Sequence, residues 1–95
     1  MQVYFMIGKY SAEGVRDLSV DRTEKCVHLI KQVGGEILSM FALLGAYDVV
    51  LKVKLPNNQA AMQASVALSL LTGITFTTMP AVPVDDFDRI MSRPG

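Results

Sequence analysis

Residues 43–56 read LLGAYDVVLKVKLP. Tyr47, Val49, Leu51, Val53 and Leu55 alternate with Asp48, Val50, Lys52 and Lys54, the period of two that marks a strand with one side on a core. The pattern predicts a strand over residues 47–55, with the more apolar first set facing inward. Residues 36–44 form another strand-like run, and only Gly45-Ala46 separates the two. Runs this close pair as an antiparallel hairpin. Gly45 fits a bend made by positive φ or by a bulge, and a bulge there would carry Tyr47 out of phase.

Upstream, Gly34-Gly35 closes a helix that is expected to begin at Asp21, where Asp21 and Glu24 have capping-box spacing. Thr23, Cys26, Val27, Ile30 and Val33 form its apolar stripe, and Lys25, His28, Lys31 and Gln32 fall opposite. Residues 11–20, with Gly14, read as a turn-rich connection. Residues 2–10 read as a strand, with Val3, Phe5 and Ile7 on one face and Tyr4 and Met6 on the other. Downstream, Pro56-Asn57-Asn58 breaks the strand and supplies an N-cap for a helix over residues 59–72, stopped by Gly73. A fourth strand follows over 74–82. Pro80 and Pro83 weaken its far end or place it on an edge. Residues 84–92 make a short last helix with Phe87, Ile90 and Met91 on one side.

This order, strand–helix–strand–strand–helix–strand, predicts an α+β chain of ferredoxin-like βαββαβ type, with a four-stranded antiparallel sheet and two helices on one face. The whole of 1–95 reads as one domain. The other sheet face is then open. Strand phase assigns Asp48, Val50, Lys52 and Lys54 to it, with Tyr4, Met6, Leu38, Met40, Thr77 and Met79. A face this apolar is expected to meet a second subunit's sheet, leaving polar groups at a cavity or rim. The second helix carries one stripe of Ala61, Ala64, Ser65, Leu68 and Leu71, and another of Met62, Val66 and Leu70. A helix apolar on two sides is expected to be covered on both, which points to an assembly larger than a dimer.

Composition narrows the partners. Of 95 residues, 51% are hydrophobic and 19% charged, so a small core with apolar surface left over favours a homo-oligomer. Nine basic and nine acidic residues cancel, and no basic stripe with interleaved aromatics appears, so no nucleic acid is expected. No apolar run approaches a membrane span, and MQVYFMIGKY lacks the basic start of a signal peptide. A single cysteine rules out an internal disulfide and suits a reducing, cytoplasmic setting. A single histidine rules out a His-based metal cluster within one chain. Gly8-Lys9 and Gly34-Gly35 satisfy no phosphate-loop pattern, and no cofactor is expected.

The candidate site residues are few. Asp48 is a carboxylate near a sheet end: a base, acid or ligand anchor in one reading, and a cap for turn amides or an ion-pair partner in the other. Tyr47 offers a hydroxyl to a ligand or packs its ring and bonds to backbone. Arg22 lies in a helix's first turn, the unfavourable end of the dipole for a cation, which fits either an anionic partner or plain solvation. Thr77 offers a hydroxyl to the cavity, and Tyr4 and Met6 would line it. His28 belongs to a solvated face. Cys26, two residues away, points elsewhere and reads as a buried apolar filler.

Gly45, Tyr47 and Asp48 in GAYDVVLKVKLP resemble the signature of the GYD domain proteins. GVRDLSVDRTEKCVHLIKQVGGEI and LLTGITFTTMPAV are similar to further segments of that family, so the likeness spans roughly residues 13–82. It implies a ferredoxin-like subunit of the dimeric α/β-barrel kind and little about activity. Members often carry an acid before the proline and an aspartate after it. Here those places hold Lys54, Leu55, Pro56 and Asn57, so a role of those acids toward a cation or basic ligand does not carry over.

Three functions fit these residues. The first is an oligomeric protein that binds a small organic ligand or serves regulation and assembly without catalysis. The second, by analogy of fold, is a cofactor-independent oxygenase or isomerase using Asp48 and Tyr47 in the inter-subunit cavity. The third is a purely structural interaction module. Binding or assembly ranks above enzyme, because catalytic groups are scarce.

Overall fold

The computed structural model describes residues 1–12 and 19–92. Gly14 and most of the expected connection before the first helix lie outside the described residues. The elements are β1 (Gln2–Tyr10), α1 (Val20–Gln32), β2 (Glu36–Ala42), β3 (Val49–Leu55), α2 (Asn58–Thr72), β4 (Ile74–Ala81) and α3 (Val84–Met91). The sheet is antiparallel throughout, in the order β2-β3-β1-β4. The expected ferredoxin-like βαββαβ fold is therefore present, with Pro80 in the edge strand β4.

Local chemistry explains where the helices begin and end. Ser19 caps α1, its hydroxyl accepting the Arg22 amide at 3.0 Å. The helix thus starts one residue before the expected Asp21, whose carboxylate instead pairs with Lys25 at 3.2 Å. At the other end the Gly35 amide reaches back to the Ile30 carbonyl at 2.9 Å, a bond that ties down an orphan helix carbonyl. A Cβ on Gly35 would run into the Lys54 carbonyl oxygen, so the chain passes β3 at backbone contact there. Asn57 caps α2, accepting the Ala60 amide at 2.9 Å, and Gly73 ends it with φ of 70°.

One core lies between the sheet and α1 with α2. It gathers Met6, Leu51, Val53 and Leu55 from the sheet with Ile30 and Leu68 from the helices, all essentially inaccessible. Tyr4, Cys26, Ala61 and Ala64 complete it. The alternation expected for the third strand holds from Val49 onward, with Lys52 and Lys54 exposed.

Three expectations about the strands are corrected. Tyr4 and Met6 belong to the helix-covered face, because their cross-strand partners are Val53 and Leu51. Val3, Phe5 and Ile7 take the open face instead. In β2 the register shifts between Ile37 and Ser39, so Leu38 is an extra residue and Met40 returns to the core side opposite Leu51. Finally, β2 stops at Ala42 and β3 starts at Val49, leaving residues 43–48 as a six-residue connection with φ of 127° at Gly45.

Candidate functional site

The open sheet face is ordered by register. Phe41 lies across from Val50, Val50 from Ile7, and Ile7 from Thr77. In the next row Ser39 faces Lys52, Lys52 faces Phe5, and Phe5 faces Met79. Beyond that come Glu36, Lys54, Val3 and Ala81. Residues directly opposite share a face, so an apolar strip runs along β1 through Val3, Phe5 and Ile7. Val50, Phe41 and Met79 widen it. Lys52 and Lys54 border it on the β3 side.

Asp48 is occupied by backbone. Its carboxylate accepts the Tyr10 amide at 2.8 Å, its own amide donates to the Gly8 carbonyl at 2.9 Å, and its carbonyl accepts the Leu43 amide at 2.8 Å. One residue thereby joins the ends of β1, β2 and β3. Tyr47 sits in the connection before β3 and is 45% exposed. Thr77 is on the open face, as expected, while Tyr4 and Met6 lie on the other side of the sheet. The structure does not bring these candidates into one cavity.

Among the described residues, hollows open on the helix side. The first, of about 220 Å³, is lined by Tyr10, Arg22, Cys26, Met40, Thr72 and Phe76 among others. Arg22 donates from Nη1 to the Thr72 carbonyl at 3.2 Å, and its guanidinium carbon lies 5.8 Å from the Tyr10 ring centroid, a distance at which a cation is attracted to the ring face. Thr72 is buried and fully engaged. Its hydroxyl donates to the Leu68 carbonyl at 2.7 Å and accepts the Ile74 amide at 3.1 Å. Burial pushes the Cys26 thiol pKa up, and the neighbouring Arg22 charge opposes part of that rise. Cys26 is the buried filler expected of it, and His28 is on an exposed position.

The second hollow, of about 470 Å³, is a groove between α2 and the edge strand β4. Ala61, Met62, Val66 and Pro80 give it an apolar wall. At one end the Tyr4 hydroxyl donates to Asn58 Oδ1 at 2.6 Å, and beside it Thr78 Oγ1 donates to Ser65 Oγ at 3.1 Å. Asn58, Ser65 and Thr78 were not among the sequence candidates. Asn58 read only as part of a helix start, and the signal that pairs Ser65 with Thr78 is the packing of α2 on β4. The outer stripe of α2 is uncovered, with Met62, Val66 and Leu70 at 69%, 61% and 83% exposure.

Among the described residues no group of three or more His, Cys, Asp or Glu is placed to hold a metal ion, and no helix is long and apolar enough to cross a membrane. No curated protein matches the chain. The model of one family, described as the GYD domain, matches residues 4–91, spanning all of the sheet but the first two residues of β1, together with α1, α2 and α3. With the hairpin bend at Gly45, Tyr47 and Asp48 in place and the match covering nearly the whole chain, the protein belongs to the GYD domain family.

Proposed function

We propose that this chain is a homo-oligomeric binding protein whose open sheet face meets a second copy and whose ligand is a small, largely apolar organic molecule. The observation that carries the reading is the apolar strip of the open face. Phe5, Ile7, Val50, Phe41 and Met79 form one continuous patch on a side of the sheet that neither α1 nor α2 covers. Patches of this kind mark contact surfaces.

The groove between α2 and β4 supports the ligand half. Its volume of about 470 Å³ falls in the range of about 300–1,000 Å³ typical of small-molecule sites. Its apolar wall ends in the hydroxyl and amide groups of Tyr4 and Asn58, the few polar atoms that would orient a bound molecule. Binding is favoured over turnover because the Asp48 carboxylate is already held by a backbone amide. A reducing compartment such as the cytoplasm suits the single buried thiol.

Native mass spectrometry of the protein purified from its host without added ligand tests both halves. The expected spectrum is a dimer or higher oligomer with retained organic mass, and Met62→Trp, which fills the groove, sheds that mass without changing stoichiometry. Monomers at micromolar concentration would overturn the assembly half. Oligomers without bound mass, whose Tm no small aromatic or aliphatic compound raises, would overturn the ligand half.

A further inference from the structure

We propose that the groove between α2 and β4 selects an uncharged carbonyl compound, of the class of aryl ketones, esters and amides, through the side-chain amide of Asn58. This rests on the reading that the groove holds a small organic ligand, and it names that ligand's chemistry.

The first observation is a donor left over at one end of the groove. Tyr4 is buried, and its hydroxyl donates to Asn58 Oδ1 at 2.6 Å. The amide oxygen therefore serves the tyrosine, and the –NH2 branch keeps its two protons. Among the described residues no protein acceptor takes either of them. Asn58 is exposed, so water meets these protons in the free protein, and a ligand oxygen can take its place. Further along, Thr78 Oγ1 donates to Ser65 Oγ at 3.1 Å. Two hydroxyls joined by one bond retain one proton between them, which adds a second donor point.

The second observation is charge. No residue of α2 or β4 is charged, and Tyr4, which completes the lining, is neutral as well. A carboxylate placed here loses water without gaining a cation, and an ammonium loses water without gaining an anion. Either loss costs more than one hydrogen bond returns. A hydrocarbon brings no charge but strips water from the Asn58 amide without replacing it. An alcohol must also place its own proton, and the two oxygens at this end, Tyr4 Oη and Asn58 Oδ1, are already bonded to each other. A carbonyl oxygen accepts from Asn58 and brings neither charge nor proton.

The third observation is shape. Asn58, Ala61, Met62 and Ser65 have the spacing of one helix face, and Thr78 and Pro80 share one face of β4. From Asn58 to Val66 the helix rises about 12 Å. A carbonyl held at Asn58 thus sends its apolar body along Met62 toward Val66. That length suits a pair of fused rings bearing an acetyl group.

The test is a matched series on the full chain, read by isothermal titration calorimetry. Acetylnaphthalene, ethylnaphthalene, naphthoate and naphthylmethylamine share a ring system and differ in the polar end. The ketone is expected to bind roughly tenfold more tightly than the hydrocarbon, and both ions more weakly than either. Asn58→Asp keeps the oxygen that Tyr4 needs, suits the first turn of a helix, and exchanges the –NH2 for a charged acceptor. It is expected to fold as wild type by circular dichroism, to lose roughly tenfold in ketone affinity and to gain affinity for the amine. The wild-type comparison decides the matter even where the variant fails to fold. Equal binding of ketone and hydrocarbon, or tighter binding of either ion, would overturn the carbonyl assignment while leaving the groove as a ligand site. A ketone affinity unchanged in folded Asn58→Asp would overturn the role of Asn58 in the same way. A wild type that binds none of the four would overturn the ligand reading of the groove and this inference together. If Met62→Trp then also lowers the oligomeric state in sedimentation velocity, the occupant of the groove is a second copy of the chain.

Discussion

The carboxylate of Asp48 accepts the backbone N–H of Tyr10 at 2.8 Å, across 38 positions of sequence. The same residue bonds through its amide to Gly8 and through its carbonyl to Leu43. The aspartate beside the apolar run is thereby explained. It extends the sheet where the ladder of β1 and β3 ends, and holds the six-residue connection against the end of β1. Asp48→Ala leaves the Tyr10 amide unmatched and is expected to cost about 1–3 kcal/mol, while Asp48→Asn, which keeps an acceptor oxygen, costs less. Urea unfolding of both variants measures the difference. Equal losses would show that the acceptor at this position is not what matters.

Gly45 makes the bend that delivers Asp48. Its φ is 127°, and a Cβ there would touch nothing within 4 Å, so the only penalty of Gly45→Ala is backbone strain. The expected cost is about 1–3 kcal/mol. A thermal melt that matches wild type would mean the connection relaxes to another conformation.

The two sides of α2 differ in what covers them. Leu68 is fully buried and Leu70 is 83% exposed. Leu68→Ala is expected to lose about 2–5 kcal/mol at any protein concentration. Leu70→Ala in dilute protein is expected to stay within about 0.5 kcal/mol of wild type, with a loss growing at high concentration if the outer stripe is a contact between copies. Denaturation at two concentrations separates these outcomes.

Burial raises the Cys26 pKa in the folded state, with Arg22 opposing. A thiol whose folded pKa lies above its unfolded value gives stability that is fully present below the unfolded pKa and is lost as pH rises through the folded one. The stability difference between wild type and Cys26→Ala should therefore shrink as pH climbs past the ordinary thiol value of about 8.5. At neutral pH the folded thiol should resist alkylation and react promptly once unfolded. Fast labelling of the folded protein would contradict the buried assignment.

The order of elements, the helix ends and most of the helix faces were legible in the sequence because they depend on residues three or four apart, although Ser19 and not the expected Asp21 caps α1, and Thr72 rather than Leu71 is buried on α2. Asn57, the alternation of Leu51 to Leu55 with Lys52 and Lys54, and the glycines closing α1 and α2 all carry their structure locally. The phase of β1 was not legible. Both of its faces are apolar, Val3, Phe5 and Ile7 against Tyr4 and Met6, so alternation offers no choice between them. The pairing of Tyr4 with Val53 decides it, because β3 is the strand with one clearly polar side. The extra residue at Leu38 is likewise silent in composition, yet it reverses the face of everything after it in β2.

The sequence by itself determined the topology, the helix boundaries to within a residue or so, and an apolar face left over. Only the tertiary structure decided which residues occupy that face, that Asp48 serves the Tyr10 amide, and that Tyr4, Asn58, Ser65 and Thr78 meet beside a groove. The reason is physical. Helix and turn preferences act between near neighbours, whereas strand register and cross-sheet hydrogen bonds join residues tens of positions apart, and no local pattern records which of two apolar faces the helices will cover.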